Sequence, residues 1–283
     1  MQKENTIKNL LIESKLRLGD CGINTYSLDA ELLLCEVLSC SREYFIGYSD
    51  RVLNMQEITK FNEFLERRIK REPISHILGR REFWGMNFKV TPDTLAPRPD
   101  SETLIESVLE LFPDKNKQLQ VLDLGTGTGC LLLSILQEFK NAEGVGIDAS
   151  AGAISVAKEN SVNLGLAKRA NFILKSWHEG VAGQYDLIIS NPPYIKDSDI
   201  DSLELEVADY EPHSALFGGD DGLACYRELA PVIKSLLKPD GFAVLEFGIG
   251  QHDLVREIMA KSHLDFVSYK KDLAGIIRCI VLK

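Results

Sequence analysis

No stretch of this 283-residue chain is apolar for long enough to span a membrane. Its first residues, MQKENTIKNLLIESK, mix both charges and lack the apolar core of a secretory signal, so a cytoplasmic location is expected. No C-x-x-C pair occurs, and the six cysteines stand apart at 21, 35, 40, 130, 225 and 279. Cys130, Cys225 and Cys279 lie within apolar segments, the pattern of buried reduced thiols rather than of a disulfide framework. The five histidines (76, 178, 213, 252, 263) show no ligand spacing, so no metal is expected. Positive charge is also in deficit. A net charge of −10 argues against a large footprint on duplex DNA, because phosphate neutralisation needs a basic surface. No internal repeat or low-complexity tract is visible.

What is present suits a folded chain: 45% hydrophobic residues can bury one large core, or one large and one small. Up to about residue 72 only helical periods occur. Leu28, Leu32 and Cys35 space one stripe, with Ser27 or Asp29 as start signals. Ser41 can cap a short segment containing Tyr44 and Phe45. Ile58, Phe61, Phe64/Leu65 and Arg68/Ile69 space a longer helix. A small helical bundle is expected, ended by Pro73. Residues 76–95 are rich in β-formers around a turn signal at Gly85-Met86-Asn87, which predicts a hairpin connector. From Asp100 onward helix and strand alternate, with strands expected at 119–124, 142–147, 170–174, 184–190, 241–247, 264–270 and 276–282. Only the short Leu273-Ala274-Gly275 region separates the last two, so they should run antiparallel.

Charge is unevenly spread. Residues 51–89 hold nine Lys/Arg against five acids, concentrated in Glu66-Arg67-Arg68-Ile69-Lys70-Arg71. This run is either the solvated end of a helix, where cations suit the dipole, or a patch that docks an acidic partner surface or lies near ribosomal RNA.

The chemistry-bearing residues lie at strand ends. Tyr185–Ser190 reads as a short buried strand, and Asn191-Pro192-Pro193-Tyr194 follows it directly. Two prolines fix φ and carry no N–H, so the strand stops there and presents an amide and a ring on a stiff turn. The Asn191 amide and the carbonyls beside the prolines can grip a planar –NH2 group, and Tyr194 can stack on its plane. The bland reading is a strand-terminating loop with a capping Asn. Upstream, Val121–Leu124 leads into Gly125-Thr126-Gly127-Thr128-Gly129 and then a helix from Cys130 to Phe139. Glycines there allow close backbone approach to a ligand at an electropositive helix N-terminus. The dinucleotide fingerprint is excluded, since its third glycine would fall at Cys130, and no P-loop Gly-Lys-Ser/Thr follows. Asp148 ends the second strand, where a carboxylate can accept from two adjacent ribose hydroxyls. It could instead cap the helix that starts near Ser150.

Taken together, GTGTG, Asp148 and NPPY resemble the class I S-adenosylmethionine-dependent methyltransferases that act on amino groups. A narrower resemblance runs through the whole chain in order. Glu72-Pro73-Ile74-Ser75-His76, Arg81-Glu82-Phe83-Trp84, Pro97-Arg98-Pro99-Asp100-Ser101-Glu102, Tyr210-Glu211-Pro212, Gly218–Leu223 and Lys271–Gly275 are similar to the peptide chain release factor glutamine N5-methyltransferases. NPPY alone is shared with DNA adenine methyltransferases and does not choose between them.

That resemblance implies an α/β fold: a Rossmann-like, seven-stranded class I methyltransferase sheet with an antiparallel last strand. It implies a helical partner-docking domain at 1–72, a β-hairpin linker at 73–99 and a catalytic domain at 100–283. The expected activity is methyl transfer from S-adenosylmethionine to the glutamine side-chain nitrogen of the Gly-Gly-Gln motif in class I release factors, with S-adenosylhomocysteine as product. Asn191, Pro192, Pro193 and Tyr194 would form the catalytic set. Gly125, Thr126, Gly127, Thr128, Gly129, Asp148, Trp177 and Asn191 would meet the cofactor, Trp177 matching the family tryptophan that lines adenine. The bland reading of Trp177 is a loop aromatic packed on the sheet edge. Ser176 stands where the family often has an acid. Arg98 and Glu102 would either shape the methionine end of the site or cap the helix from Asp100. A monomer without membrane or direct duplex-DNA contacts is expected. Methylation of adenine or another exocyclic amine in nucleic acid is the alternative, but it should bring a basic recognition module. A cofactor-binding protein without catalysis would have no need of the intact Asn191 and Tyr194.

Overall fold

The computed structural model describes residues 5–283, apart from the His178 side chain. Two compact units are present. One runs to Gly79 and also takes in Leu205–Tyr210, and the other comprises Arg80–Glu204 and Glu211–Lys283.

The first unit is helical: α1 (Ile7–Asp20), α2 (Tyr26–Leu38), α3 (Tyr44–Gly47), α4 (Met55–Ile69) and α5 (Ile74–Leu78). Helix α1 begins where the Thr6 side chain accepts from Asn9 N at 3.2 Å. Helix α4 begins at a capping box in which Asn54 and Glu57 satisfy each other's backbone N–H groups. Ile7, Leu18, Leu33, Leu34, Phe61 and Leu65 form its core. The buried face of α2 is Ala30, Leu33 and Leu34, not the expected stripe, since Leu28 is 42% exposed. Both rows satisfy helical spacing in this Leu-rich segment. Asp29 decides between them, because it is drawn inward by Arg68, whose Nε donates to it at 2.7 Å. The basic run around Arg68 is therefore mostly internal wiring. Arg67 pairs with Glu72 at 2.5 Å, while Arg68 and Arg71 each reach Glu206 at 3.0 Å. Glu206 belongs to the short helix Leu205–Tyr210, which a sequence window around residue 70 cannot show.

The second unit opens with a hairpin, β1 (Arg80–Phe83) and β2 (Met86–Lys89), paired so that Phe83 faces Met86. The turn is Trp84-Gly85, slightly earlier than expected, with φ of 51° and 70° as a two-residue hairpin turn requires. Trp84 tolerates that conformation because its N–H donates to Glu102 at 2.8 Å and its Nε1 to Glu138 at 2.9 Å. Phe83 and Phe88 are fully buried in the core of this unit, worth roughly 1.5–3 kcal/mol each. Pro73 therefore does not end the helical unit. Helix α5 follows it within that unit, and the hairpin packs with the sheet.

The remaining helices and strands are α6 (Glu102–Leu111), β3 (Gln120–Leu124), α7 (Cys130–Glu138), β4 (Glu143–Asp148), α8 (Ala151–Asn163), β5 (Ala170–Leu174), β6 (Tyr185–Ser190), α9 (the Leu205–Tyr210 helix above), α10 (Ala224–Leu236), β7 (Leu237–Glu246), α11 (His252–Lys261), β8 (Phe266–Lys271) and β9 (Ile277–Leu282). The strands form one seven-stranded sheet in the order β5-β4-β3-β6-β7-β9-β8. It is parallel except for β9, which runs antiparallel to both its neighbours. Strand residues alternate between two cores. Val121, Leu187, Ile189 and Val244 face α6, α7 and α8, while Leu122, Ile188, Ala243 and Leu245 face α10 and α11. Strand order reverses between β3 and β6. In an open α/β sheet the ligand crevice lies at that point, beyond the C-terminal strand ends. Among the described residues no helix is long and apolar enough to cross a membrane.

Candidate active site

At that reversal point lies a cavity of about 300 Å³. Gly125, Thr126, Gly127, Thr128 and Cys130 line it from the end of β3, Asp148 and Ser150 from the end of β4, and Asn191 and Pro193 from the end of β6. Trp177, Arg98 and Ser101 are among the further residues of its wall. Ser190 ties the two central strands together, its hydroxyl donating to Leu124 O at 2.6 Å.

The glycine loop folds as it does because Gly125 and Gly127 adopt φ of 78° and 55°, which L side chains rarely adopt. A Cβ on Gly127 would meet nothing within 4 Å, so its backbone faces open space where a ligand can lie against it. Gly129 has a different job. It does not line the cavity; a Cβ there would meet Phe172 at 3.1 Å, so it lets α7 start close against the sheet.

Asp148 fastens this loop. Its Oδ2 accepts from Gly127 N and its Oδ1 from Ser150 N, both at 2.9 Å. The helix cap itself is Ser150, whose hydroxyl accepts from Ala153 N. Each Asp148 oxygen keeps a further lone pair, and the residue lines the cavity, so a diol could still be accepted there. Trp177 lies over the glycine loop, its ring 3.7 Å from where a Cβ of Gly125 would sit, and its Nε1 donates to Glu228 at 3.1 Å. The backbone of Ser176, which lacks the acid, donates instead to the Glu179 carboxylate at 2.9 Å.

Of the NPPY residues, Asn191 and Pro193 reach the cavity, whereas Pro192 and Tyr194 are not in its wall. Asn191 Nδ2 donates to Ser101 Oγ at 3.2 Å, which leaves Oδ1 as the acceptor of the amide. Tyr194 sends its hydroxyl inward to Glu246 at 3.3 Å, and burial pushes its pKa well up, so it is a neutral phenol at any ordinary pH. Arg98 and Glu102 part company. Arg98 lines the cavity and pairs at 2.6 Å with Glu211, whose carboxyl burial pushes up despite that partner. Glu102 holds the hairpin turn.

Two buried acids lie close behind the cavity. Asp123 is fully buried, accepts from the Thr126 hydroxyl at 2.6 Å, and is pushed up to about 7, chiefly by burial and further by the charge of Asp148. Glu246 is likewise pushed up to about 7 by burial. The Cys130 thiol, pushed up to about 12 by burial, is no nucleophile. The donors and acceptors thus suit an adenosine with a charged amino-acid tail: acceptors at Asp148, an aromatic face at Trp177, open glycine backbone and one guanidinium.

Comparison with known proteins agrees. Residues 9–79 match the PrmC N-terminal domain, and residues 115–278 match a methyltransferase domain. A release factor glutamine methyltransferase from Caulobacter vibrioides is 43% identical over 95% of this chain and 93% of its own length. The chain belongs to the release factor glutamine methyltransferase family. A second member, from Rhodospirillum rubrum, is 43% identical over 97% of this chain and 84% of its own. The crystal structure of a methyltransferase from Pyrococcus furiosus, 17% identical, superposes with a TM-score of 0.51 over 70% of this chain and 88% of that one, which shows the shared fold.

Within this member of the release factor glutamine methyltransferase family, sequence reading passed over three residues. Ser101 sits inside a motif whose charged members drew attention. Asp123 lies within the apolar β3, and Glu246 ends β7. The available signal was position, since each acid stands at or next to the C-terminal end of a parallel strand.

Proposed function

We propose that this chain transfers the methyl group of S-adenosylmethionine to the side-chain amide nitrogen of the glutamine in the Gly-Gly-Gln motif of class I release factors. The observation that carries this reading is Asn191. It stands at the cavity wall with its Nδ2 already engaged by Ser101, so its oxygen is left to accept from an incoming –NH2 group. A primary amide is a poor nucleophile because its nitrogen lone pair is delocalised into the carbonyl. Asn191 Oδ1 and a backbone carbonyl of the Pro192-Pro193 turn would accept both N–H hydrogens and turn that lone pair toward the cofactor side of the cavity. Positioning of this kind supplies up to roughly 7–11 kcal/mol in ideal cases. When bound, S-adenosylmethionine supplies an electrophilic sulfonium methyl and leaves as the neutral thioether. Asp148 would hold its ribose, Trp177 its adenine and Arg98 its carboxylate. The proton lost from the alkylated nitrogen is strongly acidic and needs no dedicated base.

One amide does not identify a protein partner, so selectivity must come from a remote surface. The helical unit is the proposed docking module. None of its described residues lines the cavity, and Ile46, Tyr48, Val52 and Met55 are 86%, 56%, 57% and 73% exposed within one short stretch. Adenine methylation is less favoured, because the chain is acidic overall and its densest basic run is spent on internal ion pairs.

The deciding experiment offers labelled S-adenosylmethionine with intact release factor, with release factor whose motif glutamine is replaced, and with duplex DNA. Label in the first alone is expected. Label in DNA, or label that survives loss of the glutamine, would overturn the reading.

A further inference from the structure

Behind Asn191 and Tyr194 lies a carboxylate with one oxygen unused. Glu246 ends β7, the strand beside β6, and is 2% exposed. Its Oε1 accepts from the Tyr194 hydroxyl at 3.3 Å, while its Oε2 is buried without a hydrogen-bond partner. Ser101, 3% exposed, already accepts from Asn191 Nδ2 on its Oγ and still has its own proton to place. Ser101 and Tyr194 are the polar neighbours that favour the charged form of Glu246.

We propose that Glu246 is a positioning residue for methyl transfer: its carboxylate accepts a hydrogen bond from the Ser101 hydroxyl, which commits Ser101 Oγ to accept from Asn191 Nδ2 and keeps Asn191 Oδ1 turned toward the substrate amide. This rests on the amide-methylation reading above. An asparagine presents nearly the same shape in its two flipped orientations, and a serine hydroxyl can donate or accept. Neither group alone fixes which end of the Asn191 amide faces the substrate. A carboxylate has no proton to give, so it fixes the direction of the whole chain.

The groups around Glu246 define when this holds. Arg278 favours its charged form and Asp100 opposes it, and these two pair with each other at 3.0 Å. Tyr194 is a neutral donor, and Tyr226 donates to the Glu246 backbone oxygen at 2.8 Å. The nearby Cys130 and Cys279 thiols, both pushed up to about 12, stay neutral. Burial outweighs the rest. As pH falls through the Glu246 pKa, the protonated acid becomes a donor to Ser101. Ser101 then turns its proton toward Asn191, and the flipped amide is favoured.

The test uses the full-length enzyme with intact release factor across pH 5.5–8.5, together with calorimetric binding of S-adenosylhomocysteine. Glu246→Gln should lower kcat at pH 8 at least ~10-fold, leave product affinity within about twofold, and abolish the acidic limb of the kcat profile. Ser101→Ala leaves Glu246 in place and should lower kcat similarly. The double variant should be no worse than either single one. A merely structural Glu246 would lower thermal stability yet leave the acidic limb, and that result overturns the proposal. So does full kcat in Ser101→Ala, which decides the matter if Glu246→Gln does not fold. A wild-type enzyme that transfers no methyl to release factor fails the underlying reading instead, and is seen before any variant is made.

Discussion

Arg68 donates through Nε to Asp29 at 2.7 Å inside the helical unit, and both side chains are only 6% exposed. The same guanidinium reaches Glu206 through Nη1 at 3.0 Å. Arg68 therefore ties α4 to α2 and to α9. Removing one partner of a buried pair leaves the other charge uncompensated, which costs about 3–5 kcal/mol. Arg68→Ala should lower the unfolding free energy by that order in urea titrations. Arg67→Ala, at a half-exposed pair with Glu72, should cost about 1 kcal/mol or less. Equal effects would mean that Arg68 has no special structural role. Charge reversal at Arg68 would for the same reason report on folding rather than on partner docking.

Asn191→Ala should keep the fold and the affinity for S-adenosylhomocysteine while lowering kcat by ~100-fold or more, the scale of losing one oriented hydrogen-bonding group in a dry site. Asn191→Asp should fail as well. Its second oxygen would face Ser101 where an N–H donor now stands, and it would set a charge beside the buried Glu246. Single-turnover kinetics with saturating cofactor separates this loss from weaker binding. Wild-type turnover in Asn191→Ala would remove the amide clamp from the mechanism.

Asp148→Ala should weaken S-adenosylmethionine and S-adenosylhomocysteine together by about 1.5–3 kcal/mol, the range for hydrogen bonds to a charged group. Its two bonds to Gly127 N and Ser150 N show that part of this loss would come from a loosened glycine loop. Adenosine and the intact cofactor should both lose affinity by calorimetry. Unchanged affinities would reduce Asp148 to a loop brace.

Asp123 makes stability depend on pH. Burial raises its folded pKa to about 7, above the ordinary carboxylate value near 4 that the unfolded chain shows. Between those values the folded state holds the extra proton, so stability falls as pH rises through this window. Glu246, raised to about 7, acts in the same direction. The wild-type Tm should therefore drop from pH 6 to pH 8. Asp123→Asn, which stays neutral and can still accept from Thr126, should flatten that drop. A Tm that rises over the same interval in the wild type would contradict the assignment.

Much of this molecule was legible because its sheet strands are short apolar runs ended by special residues. Pro192-Pro193 mark the end of β6, the glycines mark the end of β3, and Asp148 marks the end of β4. The helical unit was less legible. The Leu-rich α2 offers two faces of equal spacing, and only the contact between Asp29 and the distant Arg68 chooses one. Ser101 and Glu246 were missed for a related reason. Each becomes interesting only beside Asn191 or Tyr194, which lie far from it in sequence and meet it only when the strand ends align. Tyr194 adds a contact of the same kind: its hydroxyl points to Glu246 and its side chain packs against the α10–α11 core.

The docking role of the helical unit makes a separable prediction. Deleting the unit is a poor test, since α9 would lose Arg68 and Arg71, the partners of Glu206, and α9 is continuous with Glu211, Pro212 and Ser214 beside and along the cavity wall. Surface substitution avoids that. Ile46 and Met55 are the most exposed apolar residues of their stretch, so Ile46→Asp and Met55→Asp remove no core contact of consequence. If intact release factor docks there, the double variant should raise its KM by ~10-fold or more, in line with losing two apolar anchors at ~1 kcal/mol or more each. A short Gly-Gly-Gln peptide lacks the rest of the release factor and so any surface that docks on the helical unit. It should be a poor substrate for both enzymes, and equally poor. An unchanged KM for intact release factor, with Tm preserved, would move the docking surface elsewhere. A parallel loss on the peptide would instead mean that the substitutions had disturbed the catalytic unit.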